Sequence, residues 1–138
     1  MITIKKQEIV KLEDVLHLYQ AVGWTNYTNQ PLMLEQALSH SLVIYLALDG
    51  DSVVGLIRLV GDGFSSVFVQ DLIVLPSYQR QGIGSSLMKE ALKDYKDAYQ
   101  VQLVAEETER TLEFYRSMGF EILSTYNCIG MTWLNREK

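Results

Sequence analysis

The residues with the clearest chemical potential are Gln79-Arg80-Gln81-Gly82-Ile83-Gly84, with Ser85 next in line. An apolar run from Val67 to Leu75, closed by Pro76, precedes them, and an amphipathic stretch follows. Two glycines one residue apart at a strand-to-helix junction strip side chains from the point where several backbone N–H groups converge. The first turn of a helix leaves such donors unpaired and carries roughly half a positive charge. That combination binds phosphate. The competing use of the same glycines is a tight turn.

Two familiar phosphate loops do not fit. A P-loop ends in Gly-Lys-Ser/Thr, whereas Gly84 is followed by Ser85-Ser86 with no lysine. A dinucleotide fingerprint needs a third glycine and an early strand, and this strand lies mid-chain with the third glycine missing. A pyrophosphate cradle of another kind remains. Gln79-x-x-Gly82-x-Gly84 resembles the signature of the GCN5-related N-acetyltransferases (GNAT). The preceding Asp71-Leu72-Ile73-Val74-Leu75-Pro76 is similar to that family's central strand, and Phe114-Tyr115-Arg116-Ser117-Met118-Gly119-Phe120 to its second landmark, a helix ending in Tyr-x-x-x-Gly-Phe. The two motifs stand in the family's order, and the likeness extends over essentially the whole chain.

The resemblance implies an acetyl-CoA-dependent N-acetyltransferase in which an amine attacks the thioester directly. It assigns the pyrophosphate to the loop Gln79, Arg80, Gln81, Gly82, Ile83, Gly84 and Ser85. It assigns the pantetheine arm to the backbone edge of Leu72, Ile73 and Val74, with the Val74 N–H polarising the thioester carbonyl. Tyr115 is implied as the proton donor to the leaving thiolate. Its phenol, near pKa 10, gives a proton to a thiol near 8.5 at a cost of roughly 2 kcal/mol; the alternative use of Tyr115 is an amphipathic core residue.

The base is where the chain departs from the family. The Glu or His often found on the central strand falls here on Phe68 and Gln70, and neither can take a proton. Asp71 is the first carboxylate candidate, although strand alternation turns it to the opposite face unless a bulge re-aims it. Glu106 is next, beside Glu107; water relayed by Gln70, or a low-pKa amine needing no base, are the other routes. His17 and His40 read as structural. The acceptor pocket is expected under the segment from Trp24 to Gln30, with Trp24, Tyr27 and Gln70 as its substrate-binding residues; Trp24 and Tyr27 either stack on an aromatic or cationic amine or anchor the segment to the core. A small amine is the expected acceptor. The alternatives are a protein or peptide amine, and a catalytically silent acyl-CoA-binding module.

Composition sets the bounds. The 138 residues suffice for one domain with a real core, and 48% of them are hydrophobic. No apolar run reaches the roughly 20 residues needed to cross a bilayer, and Met1 to Lys6 lacks the apolar core of a signal peptide, so a cytoplasmic protein without membrane partners is expected. The net charge of −5 disfavours a nucleic-acid surface and mildly favours a cationic acceptor. Arg80, Lys89 and Lys93 are the cations near the loop. Cys128 has no cysteine to pair with and no metal-ligand spacing around it; it reads as a small core residue, and no metal is expected.

The elements that would position these groups follow from periodicity. Leu12, Val15, Leu16, Tyr19 and Val22 mark a helix stopped by Gly23, and Pro31 opens a second through about Ser39. Leu42 to Leu48, Val53 to Val60 and Ser66 to Leu75 read as antiparallel strands joined at Asp49-Gly50-Asp51 and Gly61-Asp62-Gly63. Ile83, Leu87, Ala91, Leu92 and Tyr95 predict a helix ending near Ala98, followed by a strand from Val101 to Ala105. Thr108 is placed to cap a last helix that Gly119 ends, and two strands, Phe120 to Thr125 and Ile129 to Leu134, are expected to close the sheet. The fold class is α/β, a mixed α+β sheet flanked by helices. The resemblance adds a GNAT-like acyl-CoA N-acyltransferase fold with splayed central strands. The closing strands could also pair across a homodimer, which nothing in the sequence demands.

Overall fold

The β-branched apolar runs pair in chain order. The computed structural model describes residues 1–134, which fall into two compact units divided after Leu103. The first holds a five-stranded sheet in the order β1-β2-β3-β4-β5: β1 Ile2–Gln7, β2 Val43–Asp49, β3 Ser52–Gly61, β4 Ser66–Val74 and β5 Gln100–Leu103. The first four are antiparallel neighbours, and β5 joins β4 in parallel. That parallel step needs a crossover, which α4, Ile83–Asp94, supplies. The helices α1 (Leu12–Ala21), α2 (Thr25–Thr28) and α3 (Pro31–Ser39) lie between β1 and β2 in sequence.

The core has two sides. Val15, Leu18 and Tyr19 of α1 and Leu34 and Leu38 of α3 pack with Ile44, Leu46, Leu56 and Ile73. The alternate positions of the strands face α4, whose Ile83, Leu87, Met88 and Ala91 are buried. Gly55 is needed there, because a Cβ would stand 3.0 Å from the Ile73 carbonyl and 3.4 Å from Leu87.

Five expectations need correction. Strand β1 was missed, although Ile2 and Ile4 alternate with Thr3 and Lys5. The segment Trp24 to Gln30 is no open loop: it carries α2, and Gln30 Nε2 donates to the Asn26 carbonyl at 3.0 Å. Helix α4 ends at Asp94, because Tyr95 leaves helical geometry at φ −119°, and Tyr99 and Gln100 then donate to Phe64 and Ser65 to start β5.

The other two lie in the second unit. Helix α5, Glu109–Ser117, is capped by Thr108 Oγ1 as expected. Gly119 at φ +95° ends it, with the Phe120 N–H donating back to Tyr115. The two closing strands do not form. Leu123–Tyr126 is a 3-10 turn whose short-range bonds (Thr125 N–H to Ile122, Asn127 N–H to Ser124) take the place of a ladder. Cys128 is exposed rather than buried.

Candidate active site

Gln70 and Asp71 are sequence neighbours, and in a regular strand their side chains would face opposite ways. Here both reach the same phenol. The β3–β4 ladder pairs Arg58 with Asp71 and Leu59 with Val69, so Gln70 is left over as a bulge. The bulge re-aims the strand: Val69 shares the α4 side with Leu59, while Asp71 shares the α1 side with Arg58.

Asp71 is buried with only 3% of its surface exposed, and both its oxygens are engaged. Oδ2 accepts from Arg58 Nε at 2.7 Å and from the Tyr19 hydroxyl at 2.8 Å, and Oδ1 accepts from the Tyr27 hydroxyl at 3.0 Å. Arg58 continues to the Ser41 hydroxyl at 3.2 Å and the Tyr27 oxygen at 3.3 Å. Burial alone would lower the Arg58 guanidinium, and the facing Asp71 carboxylate more than reverses it, so its pKa lies above the ordinary value. Burial, then the Asp71 charge, pushes the Tyr19 and Tyr27 phenols up.

Tyr19, Trp24 and Tyr27 surround this knot with edge-to-face and tilted contacts, their ring centroids 5.1–6.2 Å apart. Trp24 and Tyr27 therefore do anchor the segment to the core. Gln70 is exposed, and its Nε2 donates to the Tyr27 oxygen at 3.3 Å.

The gap beside β4 is the second feature. Pairing with β5 runs from Ser66 to Val69 and stops at Leu103, while β4 continues to Val74. The far half of β4 therefore has no strand on that side among the described residues. Leu75 N–H donates to the Val54 carbonyl at 2.9 Å, toward β3. Alternation then turns the Val74 and Leu72 N–H groups toward the gap. Gln79 Nε2 donates to the Val74 carbonyl at 3.1 Å, tying the loop back to the strand end.

The loop follows a 3-10 turn, Pro76–Tyr78. Gly82, in left-handed geometry at φ +79°, caps α4, and no side chain caps that end. The amides of the first turn, Ile83 to Ser85, are thus without helical or side-chain partners. A Cβ at Gly82 would meet nothing within 4 Å, so Gly82 itself is not crowded by the protein. The side chains of Ile73 and Ile83 are buried; only their backbones are available. Arg80, held at φ +65°, is the exposed cation of the loop itself, whereas Lys89 lies midway along α4 and Lys93 in its last turn, both exposed.

In the second unit, Tyr115 packs edge-on against Phe114 and Phe120, and burial raises its phenol pKa. Glu106 and Glu107 are exposed. His17 bonds the Val53 carbonyl and His40 the Gln36 carbonyl, both local structural uses. Among the described residues no three metal-binding side chains cluster, and no helix is long and apolar enough to cross a membrane.

Sequence reasoning named Gln70, Asp71, Tyr27 and Trp24 but missed Arg58 and Tyr19, which complete the knot. The available signal was a lone Arg58 inside the apolar run from Val53 to Val60, facing a lone Asp71 inside another.

A mixed sheet in which β4 outruns its pairing with β5, followed by a glycine-capped helix with free first-turn amides, is the arrangement of an acyl-CoA-binding fold, and the comparisons with known proteins decide the class. Residues 40–122 match the acetyltransferase (GNAT) domain model. The chain is similar to a GNAT-family acetyltransferase from Streptococcus pneumoniae TIGR4, at 84% identity with 99% of each chain covered and a TM-score of 0.91. It is 36% identical over 93 residues to serotonin N-acetyltransferase 2 of Oryza sativa, covering 63% of this chain and 46% of that protein. It is 28% identical over 126 residues to the histone acetyltransferase TAP1 of Glycine max, covering 81% of this chain and 52% of that protein. The chain belongs to the GNAT family of acetyltransferases, enzymes that use acetyl-CoA.

Proposed function

We propose that the chain is a single cytoplasmic N-acetyltransferase domain that moves an acetyl group from acetyl-CoA to the amine of a small molecule. The observation that carries the choice of acceptor is the filled segment from Trp24 to Gln30. A protein acceptor would need an open groove there, and the short helix α2, the aromatic cluster and the Tyr27–Asp71 bond in that segment favour a small acceptor instead. The net charge of −5 suits a cationic amine. The serotonin acetyltransferase relative acts on an amine of this kind.

In this reading the amides of Gln81 to Ser85 hold the pyrophosphate, with Arg80 alongside. The Leu72–Val74 edge takes the pantetheine amides as an added strand would. The Val74 N–H, pointing into the gap, stabilises the oxyanion formed when the amine attacks the thioester carbon. The C–N bond forms, the C–S bond breaks, and the Tyr115 hydroxyl protonates the departing sulfur. Glu106 or solvent water takes the amine's proton.

The test is a screen of free amines and peptides for thiol release from acetyl-CoA. Release with free amines and none with peptides is expected. Tyr115→Phe should lower kcat about 100-fold, the loss of one general acid. Gly84→Glu, which brings a carboxylate to the phosphate site, should abolish acetyl-CoA binding. Release with peptides alone would move the acceptor to a protein. Calorimetric binding of acetyl-CoA with no release across the panel would leave a silent binding module.

A further inference from the structure

The bulge creates an arrangement that neither the loop nor the tyrosine donor uses. Tyr27 has one proton to give. The Asp71 carboxylate can only accept, lies 3.0 Å away, and is ion-paired with Arg58 at 2.7 Å. The proton is therefore committed to Asp71. What the Tyr27 oxygen offers to its other neighbours is lone pairs, one taken by Arg58 Nη2 at 3.3 Å. The Gln70 carboxamide, also 3.3 Å from that oxygen, can approach only with its NH2 group. The amide's orientation is set by charge logic two residues removed. Its carbonyl oxygen Oε1 has no partner among the described residues and sits on an exposed side chain.

Gln70 is also the first residue of β4 beyond the last β5 pairing, at Val69. It stands about 7 Å along the strand from Leu72, the first gap-facing amide of the proposed thioester edge. We propose that Arg58, Asp71 and Tyr27 are positioning residues that lock the Gln70 carboxamide, and that Gln70 Oε1 accepts a hydrogen bond from the N–H of the acceptor amine and aims its lone pair at the thioester.

The chemistry favours a carboxamide at this place. A neutral carbonyl does not hold an ammonium as a carboxylate would, so the reactive neutral amine is not penalised. As attack proceeds, the nitrogen gains positive charge and its N–H···O bond strengthens, because bonds from charged donors are stronger than neutral ones. The interaction grows toward the transition state, which is the condition for raising rate. Asp71 then serves through Tyr27 and does not itself take the amine's proton; its two oxygens already hold three donors.

The proposal rests on the small-amine reading and is tested with tryptamine, an arylalkylamine suited to the neighbouring aromatic cluster. Gln70→Ala should lower kcat/KM for tryptamine about tenfold, one charge-assisted hydrogen bond, with the KM for acetyl-CoA within about twofold of wild type. Tyr27→Phe, which keeps the ring, should lower kcat/KM for tryptamine several-fold. The double variant should be no worse than Gln70→Ala alone, because the phenol acts only through the amide. Additive losses, or tryptamine turnover indifferent to Gln70→Ala, overturn the proposal while the small-amine function stands.

A second readout does not depend on turnover. In the 15N NMR spectrum the Gln70 side-chain NH2 should show one hydrogen-bonded, protected proton that Tyr27→Phe shifts toward the free-amide position. An unchanged signal overturns the lock. Failure of the function itself is read separately, as absence of thiol release across the whole amine panel.

Discussion

At the bulge midway along β4, the polar atoms of Asp71 and Arg58 are buried and partnered by Tyr19, Tyr27 and Ser41. Beyond the strand's C-terminal end, after the loop, the first turn of α4 presents amides with no capping side chain. The same strand thus feeds one site that is electrically complete and one that is deliberately incomplete. A complete site can fix geometry, because each bond determines the next. An incomplete one can bind, because the missing partner is the ligand's charge. In the function proposed above, this difference separates cofactor capture from acceptor placement.

The sharpest way to break the contrast is to remove the carboxylate. Asp71→Ala leaves Arg58 as a buried, unpaired guanidinium and strands the Tyr19 and Tyr27 hydroxyls. Breaking such a pair from one side costs about 3–5 kcal/mol, and a chain of this length should lose roughly 10–20 °C in Tm, read by thermal denaturation. A loss under about 1 kcal/mol would mean that water reaches the knot and that its completeness is not structural.

The loop end should respond in the opposite manner, in binding rather than stability. Gly82→Val puts a β-branched residue at φ +79°, a left-handed geometry costing roughly 1–2 kcal/mol. Its Cβ meets no protein atom within 4 Å, so the cost within the protein is the backbone strain, and the added bulk stands beside the first amides of α4. Acetyl-CoA affinity should fall about tenfold or more by calorimetry, equivalent to about 1.4 kcal/mol, with a change in Tm well below that of Asp71→Ala. Unchanged affinity would remove the loop from the cofactor site.

The two ends also differed in how far they could be read from the chain. The geometry of the loop was legible because it lies in consecutive residues: the spacing of Gly82 and Gly84 and the helix that follows are local facts. Thr108 and Gly119 were legible for the same reason, each acting on its own helix end. The knot is non-local. Arg58 and Asp71 meet only through strand register, and that register depends on which strand takes the extra residue. Hydrophobic period cannot announce a bulge at Gln70, since the run from Val67 to Leu75 reads as apolar either way. The closing strands show the converse error. Phe120 to Leu134 has β-forming composition, but a strand needs a neighbour. Asn127 at φ +60° and the turn before it satisfy the backbone locally instead.

The smallest expected effect separates the ends by pH. Burial first, then neighbouring carboxylates, raises the pKa of Tyr19 through Asp71 and of Tyr45 through Asp94. In the unfolded chain these phenols ionise near pH 10. A raised folded pKa means the folded state holds its protons longer. The stabilisation is fully present below pH 10 and is lost as the pH climbs above it, toward the folded values. Each such tyrosine then costs up to about 1.4 kcal/mol per pH unit. Stability measured by urea denaturation should be flat in this respect from pH 7 to 9 and lower by pH 10.5 by about 0.8 kcal/mol for each of the two phenols. Tyr19→Phe should make that alkaline slope shallower, because one of the phenols that drives it is gone. The loop Gln79 to Ser85 contains no tyrosine, so acetyl-CoA affinity should stay constant over the part of this range where the protein remains folded. Affinity falling in step with stability would show that the knot and the loop are one coupled unit, and the division of labour along β4 would have to be abandoned.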